Sequence, residues 1–377
     1  MKERLIAFFK RETVLCAAFL LAAGSMFLVR PDAGYLSYID VRTLAILFCL
    51  MAVMAGLQKT RVFQWTAQAL LGRVRSARQL ALILVLLCFF SSMLITNDVA
   101  LITFVPFTFT VLGLAGEAVK ERLIIPVVVL QTIAANLGSM LTPIGNPQNL
   151  YLYGKAGLSL GAFVRLMLPY AAASLLLTVL WSLVQSRTCR APIAVSFAEK
   201  ADLSGRTGQL AAYLVLFALA LLTVARVVPY GVTLAVTAAA LLVIDRSIFA
   251  RVDYSLLLTF VGFFIFTGNM GRLPAVSELL QAVVSGNELI AGVAVSQVIS
   301  NVPAALLLSG FTDDFAALLT GVNLGGLGTL IASMASLISY KLIAREEGGI
   351  KGAYFRCFTA ANICFLAVLL VFALICG

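Results

Sequence analysis

One short stretch places polar chemistry inside an apolar segment. The sequence SSMLITNDVALITF (residues 91–104) interrupts a run of Leu and Phe with Thr96-Asn97-Asp98 and then becomes apolar again. A hydroxyl, an amide and a carboxylate offer donors and acceptors side by side, and a carboxylate can also take a proton or a cation. An ionisable group inside a membrane is costly and by default marks a substrate path, a proton relay or a counter-ion. We therefore predict that Asp98 carries proton or cation coupling; the alternative is a structural acid satisfied by backbone amides.

These groups belong to a strongly hydrophobic chain. Of its 377 residues, 62% are hydrophobic and 12% are charged, which predicts an all-α polytopic membrane protein and not a soluble domain. A helix needs about 20 apolar residues to cross the hydrocarbon layer. Such runs lie near residues 13–30, 41–58, 123–154, 161–185, 208–226, 229–244, 254–271, 312–343 and 352–376.

The chain has a formal charge of +10, and the distribution of its basic residues along the sequence indicates the membrane topology. If Met1 is cytoplasmic and each run crosses once, all but six of the 27 Lys and Arg residues face the cytoplasm, which is the positive-inside bias. The expected partner is therefore a lipid bilayer, not nucleic acid. We expect the plasma (inner) membrane of a prokaryote, with the N-terminus cytoplasmic and the C-terminus outside. The six basic residues placed outside are Arg30, Arg42, Lys155, Arg165, Arg226 and Arg272.

Two stretches must leave and return on the same side for this topology to hold. Near 287–311, the arms on either side of Ser300-Asn301 are too short to span about 30 Å at about 1.5 Å per residue, which predicts a re-entrant hairpin. Non-helical backbone at that depth must be buried in protein or line a wet cavity. Near 79–114 the arms are longer, so the prediction is either a second hairpin or two full crossings, and the internal repeat favours the hairpin.

The repeat is visible when the two halves are aligned. NLGSMLT (Asn136 to Thr142) matches NLGGLGT (Asn323 to Thr329), and Thr96-Asn97 matches Ser300-Asn301. Because the first unit begins inside and the second outside, the repeats are predicted to be inverted, as in many secondary transporters. The predicted organisation has about nine spans plus two hairpins. The first repeat covers 1–184, with a hairpin near 79–114 and a broken helix at 123–154. A cytoplasmic linker, 185–208, follows. The second repeat covers 209–377, with a hairpin near 287–311 and a broken helix at 312–343.

The chain resembles a known family at these motifs. Thr96-Asn97-Asp98, NLGSMLTPIGNPQN, SNVPAALL and NLGGLGT together resemble the ion transporter superfamily, in particular its arsenite permease, NhaD-type antiporter and citrate transporter branch, which is related to the divalent anion:sodium symporters. The resemblance implies a scaffold domain, a transport domain of hairpins and broken helices, and often a homodimer. It also implies hairpin tips that bind sodium and substrate carboxylates. In the related symporters each tip has the motif Ser-Asn-Thr, and this chain has Asp98 in one tip and Val302 in the other where those proteins have Thr.

We therefore predict a secondary active transporter that moves a small inorganic or organic anion, coupled to H⁺ or Na⁺ by alternating access, with no cofactor. Arsenite or antimonite efflux and Na⁺/H⁺ antiport are the alternatives within the family, and an ion channel is a further one. We expect no enzyme, because the chain has no His, no paired intramembrane acids and no nucleophile elbow. The candidate sodium ligands are Asn97, Asp98 and Asn301. The candidate substrate- and ion-binding residues are Thr96, Asn97, Asp98, Asn136, Gly138, Ser139, Thr142, Asn146, Ser300, Asn301, Asn323, Gly325 and Thr329.

Some of these residues also have a structural interpretation. Asn97 and Asn301 could serve only as helix caps, since Asn is a good N-cap. The Asn136 and Asn323 segments could be packing devices in which Gly admits a close helix approach. The repeat places each pair symmetrically, which favours a functional role for both pairs.

Overall fold

The computed structural model describes residues 12–72, 74–187, 189, 192–193 and 202–376. Residues 188, 190–191 and 194–201 of the predicted linker 185–208 lie outside these residues, as do the chain ends 1–11 and 377. Every regular element in the described part is helical, apart from one isolated bridge between Ser76 and Pro192. The α-helices are α1 (Thr13–Met26), α2 (Tyr35–Tyr38), α3 (Val41–Lys59), α4 (Val62–Leu71), α5 (Ala77–Ile95), α6 (Asn97–Leu114), α7 (Glu117–Ser139), α8 (Pro147–Lys155), α9 (Leu160–Gln185), α10 (Thr207–Val224), α11 (Tyr230–Ile244), α12 (Tyr254–Gly271), α13 (Pro274–Val284), α14 (Glu288–Ile299), α15 (Asn301–Leu308), α16 (Phe315–Leu324), α17 (Met334–Glu346) and α18 (Lys351–Cys376).

The described helices confirm an all-α polytopic membrane protein. Eight of them are long and apolar enough to cross a membrane, or up to nine if the bent pair α13 and α14, which meet at 107°, forms one span. Two predicted spans, 13–30 and 229–244, contain the shorter apolar helices α1 and α11, of 14 and 15 residues. The prediction of about nine spans agrees with this count. The eight helices nevertheless include α5 and α6, which were predicted to form a hairpin, and none of them lies in the predicted spans 13–30, 229–244 and 312–343.

Polar residues at the ends of the apolar runs explain where several helices begin. The Asp40 carboxylate accepts the Thr43 N–H at 2.9 Å and so caps α3, and Asp253 accepts the Leu256 N–H at 3.0 Å and caps α12. These side chains satisfy backbone donors that have no partner within the helix. The two caps lie at equivalent places in the two halves of the chain.

The helices pack as two groups. The flanking bundle consists of α1, α3, α10, α11 and α12, in which α12 packs along α1 and α3 packs against α10 and α11. The core bundle consists of α5 to α9 and α14 to α18, and α7 is at its centre, in contact with α5, α6, α9 and α18. The two bundles meet where α3 contacts α8 and where α12 contacts α15. We call this boundary the seam.

Two helical hairpins and two interrupted helices lie in the core bundle. Hairpin 1 is α5 and α6 with Thr96 between them, and hairpin 2 is α14 and α15 with Ser300 between them. Break 1 is residues 140–146 between α7 and α8, and break 2 is residues 325–333 between α16 and α17.

The two hairpins differ in length. The arms of hairpin 2 have 12 and 8 residues, or about 18 and 12 Å, so neither arm alone crosses a core of about 30 Å. Both arms of hairpin 1 have the length of a span. Whether hairpin 1 is re-entrant or makes two crossings therefore stays a prediction, as does the inverted orientation of the two repeats.

Candidate functional site

The tips of both hairpins have the same unusual backbone conformation. Thr96 has φ 66° and ψ 151°, and Ser300 has φ 75° and ψ 153°. A positive φ is uncommon for a residue with a side chain and is a true outlier for a β-branched residue such as Thr. Such strain costs on the order of 1–3 kcal/mol and persists where the surrounding structure enforces it, often at functional sites. The conformation reverses the chain and starts the second arm at Asn97 and at Asn301.

Each tip is held by the nearby helix break. The Asn97 N–H donates to the Gly145 carbonyl in break 1 at 3.2 Å, and the Asn301 N–H donates to the Ala332 carbonyl in break 2 at 2.9 Å. The four residues occupy equivalent positions in the repeat. An interrupted helix frees carbonyls that have no intrahelical donor, and here one of them is used to hold the tip.

Threonines in the breaks bind the first arm of each hairpin. The Thr142 hydroxyl donates to the Met93 carbonyl, and the Thr329 hydroxyl donates to the Gln297 carbonyl at 3.0 Å. In the second half, Gln297 also accepts the Thr329 N–H and donates to the Gly325 and Leu327 carbonyls. Gln297 was not predicted. It occupies the position equivalent to Met93, so the repeat alignment could have drawn attention to it.

Both predicted glycines are required by this packing. A Cβ at Gly138 would collide with the Phe89 carbonyl oxygen and with Ser92 in α5, and a Cβ at Gly325 would lie 2.7 Å from the Ser296 hydroxyl oxygen in α14. Phe89 and Ser92 are in hairpin 1, and Ser296 is the equivalent of Ser92 in hairpin 2. Each glycine therefore lets its broken helix approach the first arm of a hairpin.

Asn136 connects hairpin 1 with break 2. Its Oδ1 accepts from the Asn97 side-chain amide and from the Ser333 hydroxyl, both at 2.9 Å, and its Nδ2 donates to the Gly326 carbonyl at 3.4 Å. The Asn301 amide nitrogen lies against Gly326, 2.9 Å from where a Cβ would be. Asn97, Asn136 and Asn301 are each 2–3% exposed. The two predicted tips therefore converge on one buried polar cluster.

A second polar cluster also joins the two halves. The Asn323 amide donates to the Asn149 Oδ1 at 2.8 Å, and Asn149 in turn donates to the Ser139 carbonyl at 3.1 Å. The Asn146 amide donates to the Ser139 hydroxyl at 3.0 Å. Among the described residues, the Asn323 Oδ1 and both polar atoms of the fully buried Gln148 side chain have no hydrogen-bond partner. Buried polar atoms of this kind are commonly satisfied by water or an ion.

Asp98 lines a cavity of about 210 Å³ in the seam, which we call the Asp98 cavity. The Oδ1 atom of Asp98 is buried and has no hydrogen-bond partner among the described residues. The Asp98 N–H donates to the Asn97 Oδ1 at 2.9 Å. Arg251 and Asp253, both exposed, also line the cavity. The polar and charged residues of its lining are Gln58, Thr96, Asp98, Asn146, Arg251 and Asp253.

A second cavity, the Ser300 cavity, has a volume of about 160 Å³ and lies at the tip of hairpin 2. It is lined by Ser300 and Val302 together with Lys341 and Asp253, and Asp253 is shared with the Asp98 cavity. Val302 is the equivalent of Asp98. Each cavity therefore reaches one hairpin tip, but only the Asp98 cavity has a carboxylate on that tip.

The hairpin tips and helix breaks offer backbone and amide oxygens as possible ligands for a cation. No group of three or more His, Cys, Asp or Glu side chains that could hold a metal ion is found in the part of the chain that the structure describes. Unwound backbone carbonyls and amide oxygens instead suit Na⁺, as in transporters with broken helices. The predicted sodium ligands Asn97 and Asp98 are adjacent in hairpin 1, whereas Asn301 approaches them from hairpin 2 through Gly326.

Comparisons with known proteins point to membrane transporters. The family model "Citrate transporter" matches residues 5–320 of this chain. The inner membrane protein YbiR of Escherichia coli is 33% identical over 324 residues, which is 84% of this chain and 84% of that protein. The uncharacterized transporter MJ0456 of Methanocaldococcus jannaschii is 30% identical over 308 residues, 81% of each chain. The silicon efflux transporter LSI3 of Oryza sativa is 30% identical over 167 residues, which is 43% of this chain and 33% of that protein.

Proposed function

Because this chain belongs to the citrate transporter family and is a multi-pass membrane transporter, we propose that it is a secondary active transporter of a small carboxylate or oxyanion, coupled to H⁺ or Na⁺. The observation that carries this proposal is the composition of the Asp98 cavity. It combines groups that attract an anion with a buried carboxylate oxygen that has no protein partner among the described residues.

The anion would bind where α8 begins. Asn146 and Pro147, the cap and first residue of α8, line the Asp98 cavity, so the positive end of that helix faces it. Helix N-termini at broken helices bind anionic substrate groups in other transporters. The exposed Arg251 at the same cavity adds a positive charge that would attract the anion from solution.

The coupling ion would bind at Asp98. A carboxylate can bind a proton or Na⁺, and either ion would neutralise a charge that is otherwise costly among apolar side chains. The neighbouring Asn97 already uses its Oδ1 to accept the Asp98 N–H, which fixes the orientation of the tip. Ion binding and anion binding would then occur in the same cavity, so each would favour the other electrostatically.

Alternating access would use the seam. Both the Asp98 cavity and the Ser300 cavity lie between the flanking bundle and the core bundle, with α3 or α12 on one side and a hairpin tip on the other. Movement of one bundle against the other would change which end of the seam is open, which is the usual mechanism of carriers with inverted repeats.

Reconstituted protein tests this proposal. Citrate is the first probe, and liposomes are given a Na⁺ gradient, a pH gradient or neither. Saturable uptake that requires one of the gradients would support a coupled carrier. Current that does not saturate would identify a channel, and it would refute the proposal. A thermal-shift screen of carboxylates, oxyanions, Na⁺ and Li⁺ comes first, since a ligand at about 100 times its Kd stabilises the folded state by about 2.7 kcal/mol.

A second candidate is efflux of an uncharged oxyacid such as arsenite or antimonite. It is favoured by the similarity to a silicon efflux transporter over 43% of this chain. It is also favoured by the charges of the Asp98 cavity, because its described lining has two acids, Asp98 and Asp253, and one cation, Arg251. Accumulation of arsenite in inside-out vesicles, with no citrate transport, would select this function over the first.

The proposed setting is the plasma membrane of a prokaryote, with the N-terminus in the cytoplasm and the C-terminus outside. We also propose a homodimer, as the family resemblance implies. Cross-linking of the purified protein in nanodiscs at several protein concentrations tests the dimer, and a monomer at every concentration would rule it out.

A further inference from the structure

A third cavity lies at the opposite end of the seam from the Asp98 cavity. It has a volume of about 260 Å³, and we call it the Arg42 cavity. α3 contributes Arg42, α8 contributes Tyr151 and Lys155, and α12 contributes Phe264. The same three helices also line the Asp98 cavity, through residues nearer the other end of α3 and α12. The two cavities are therefore successive openings along one seam.

The Arg42 cavity has two cations that form no ion pair with any residue that the structure describes. Neither Arg42 nor Lys155 forms an ion pair with any of the described residues, whereas Lys59, Lys120 and Arg272 each do. Within the described part of the chain, the Lys155 Nζ donates to neutral oxygens, the Tyr151 hydroxyl at 3.3 Å and the Ser309 hydroxyl at 3.4 Å.

One carboxylate shares this cavity but is already engaged. Both oxygens of Asp40 interact with Thr43, one with its backbone N–H and the other with its hydroxyl. Asp40 also attracts Lys155 through space. The lining of described residues therefore has one net positive charge, and neither of its two cations is held in an ion pair.

An aromatic layer separates the two cavities. The rings of Tyr151, Phe260 and Phe264 pack against one another with centroids 5.5–6.3 Å apart, and the Tyr151 hydroxyl is 2.9 Å from the Ser309 hydroxyl. Tyr151 and Phe260 are 5% and 0% exposed. An anion in the Arg42 cavity would therefore have to pass these packed rings to reach the Asp98 cavity. The bound anion would be held next to the aromatic layer, which would have to open during transport.

We propose that the Arg42 cavity is an anion-binding site in which Arg42 and Lys155 hold the carboxylate or oxyanion cargo at the outer mouth of the seam. The identity of the anion as cargo rests on the proposed function, and the outer position rests on the charge bias. Arg42 supplies a planar pair of donors that suits a carboxylate, and Lys155 supplies a mobile ammonium on the facing helix. Because the two cations come from different bundles, a bound anion would also bridge the seam.

A purely structural role would give a different pattern. Lys155 is the last residue of α8, where a cation interacts favourably with the helix dipole and can contact the Tyr151 ring, 5.7 Å away. Arg42 could extend toward lipid headgroups. Neither role couples the two side chains to each other or to a soluble anion.

Labelling with pyridoxal 5′-phosphate tests the site without measuring transport. Its phosphate is an anion, and its aldehyde condenses with a lysine amine to give an imine and water. Borohydride then delivers hydride to the imine carbon and leaves a stable secondary amine that mass spectrometry locates. The full-length protein is labelled in nanodiscs made either of phosphatidylcholine alone or with added phosphatidylglycerol. Lys351, which is exposed, reports the general reactivity of lysines.

We expect Lys155 to be labelled faster than Lys351 and to be protected by citrate or sulfate in both lipid mixtures. Arg42→Gln should slow labelling of Lys155 about tenfold, equivalent to about 1.4 kcal/mol, and remove the protection by citrate. Arg165→Gln, which removes an exposed charge predicted on the same face but outside the cavity, should change neither. Arg42→Lys should restore part of the protection, and a thermal unfolding curve confirms that each variant is folded.

Three results would overturn the proposal. They are labelling of Lys155 no faster than that of Lys351, absence of protection by citrate and sulfate, and labelling that phosphatidylglycerol slows while citrate and sulfate do not, which would indicate a lipid contact. The outcome is separable from that of the transport assay. Protected Lys155 without gradient-driven uptake keeps the site and removes the transport function, whereas uptake with unprotected Lys155 does the reverse.

Discussion

Replacement of Asn97 by Ala should separate function from stability. The backbone N–H remains, so its bond to the Gly145 carbonyl should persist and the tip should stay in place. The side chain loses its bond to Asn136 Oδ1, but that oxygen keeps Ser333 as a donor. The Asp98 N–H loses its acceptor. A polar contact between membrane helices is worth about 0.6 kcal/mol on average and about 1.7 at most, so two lost bonds predict a loss of about 1–3 kcal/mol.

Asn301→Ala should cost less. Its backbone N–H keeps the bond to the Ala332 carbonyl, and the one side-chain bond lost among the described residues is a long one of 3.5 Å from the Ser300 hydroxyl. We expect a loss of less than about 1 kcal/mol. Transport, in contrast, should fall to background in both variants, because Ala can neither donate to an oxyanion nor coordinate a cation. Unfolding in SDS titrations and citrate uptake into proteoliposomes measure the two effects.

The control is Asn287→Ala, at an exposed position before α14 where the side chain makes no cap bond. It should leave both uptake and stability unchanged. Wild-type uptake in Asn97→Ala and Asn301→Ala would remove the tips from the binding site. A larger loss of stability in Asn301→Ala than in Asn97→Ala would refute the energetic reasoning from the hydrogen bonds.

Three further predictions concern coupling, topology and pH. Asp98→Asn should abolish uphill transport driven by the coupling ion but allow exchange between compartments of equal composition; unchanged uphill accumulation with unchanged pH and Na⁺ dependence would exclude a coupling role. A thiol introduced at Gly349 in a cysteine-free background should react with an impermeant maleimide only after permeabilisation, and labelling in intact cells would reverse the assigned orientation. The hydrogen bond from Lys59 holds the pKa of Asp245 down to about 2. Because the pKa in the unfolded chain is about 3.9, the pair stabilises the fold above about pH 4 and loses this effect as pH falls toward 2. Asp245→Asn should therefore destabilise slightly at pH 7 and not at pH 2, as thermal unfolding would show, since exposed pairs contribute little.

The tips and the breaks could be predicted because they depend on local sequence. Polar residues within apolar runs indicated Thr96 and Ser300 as turning points, and the structure places positive φ angles at these two residues. The paired NLG motifs indicated where α7 and α16 end. Such signals need no knowledge of tertiary contacts.

The contacts between the two halves could not be predicted in the same way. The bonds from Asn136 to Gly326 and from Asn323 to Asn149 join positions that are 190 and 174 residues apart. An apolar or amide residue in a long hydrophobic run has no local pattern that selects its partner on another helix. Gln297 was missed although its bonds lie within the second half, because its role depends on break 2 lying against hairpin 2 and the equivalent residue of hairpin 1 is the apolar Met93.

The difference between the two tips constrains how coupling can work. Both tips share the same φ and ψ, the same bond from an Asn N–H to a break and the same Thr bond to the first arm. Only the tip of hairpin 1 has an acid, since Val302 stands at the equivalent position in hairpin 2. A carboxylate exchanges one proton or binds one cation, so the tips can supply one coupling group per chain. Under the proposed function, hairpin 2 would then take part in movement of the seam, and Asp98 would be the one group of the two tips that makes this movement depend on an ion.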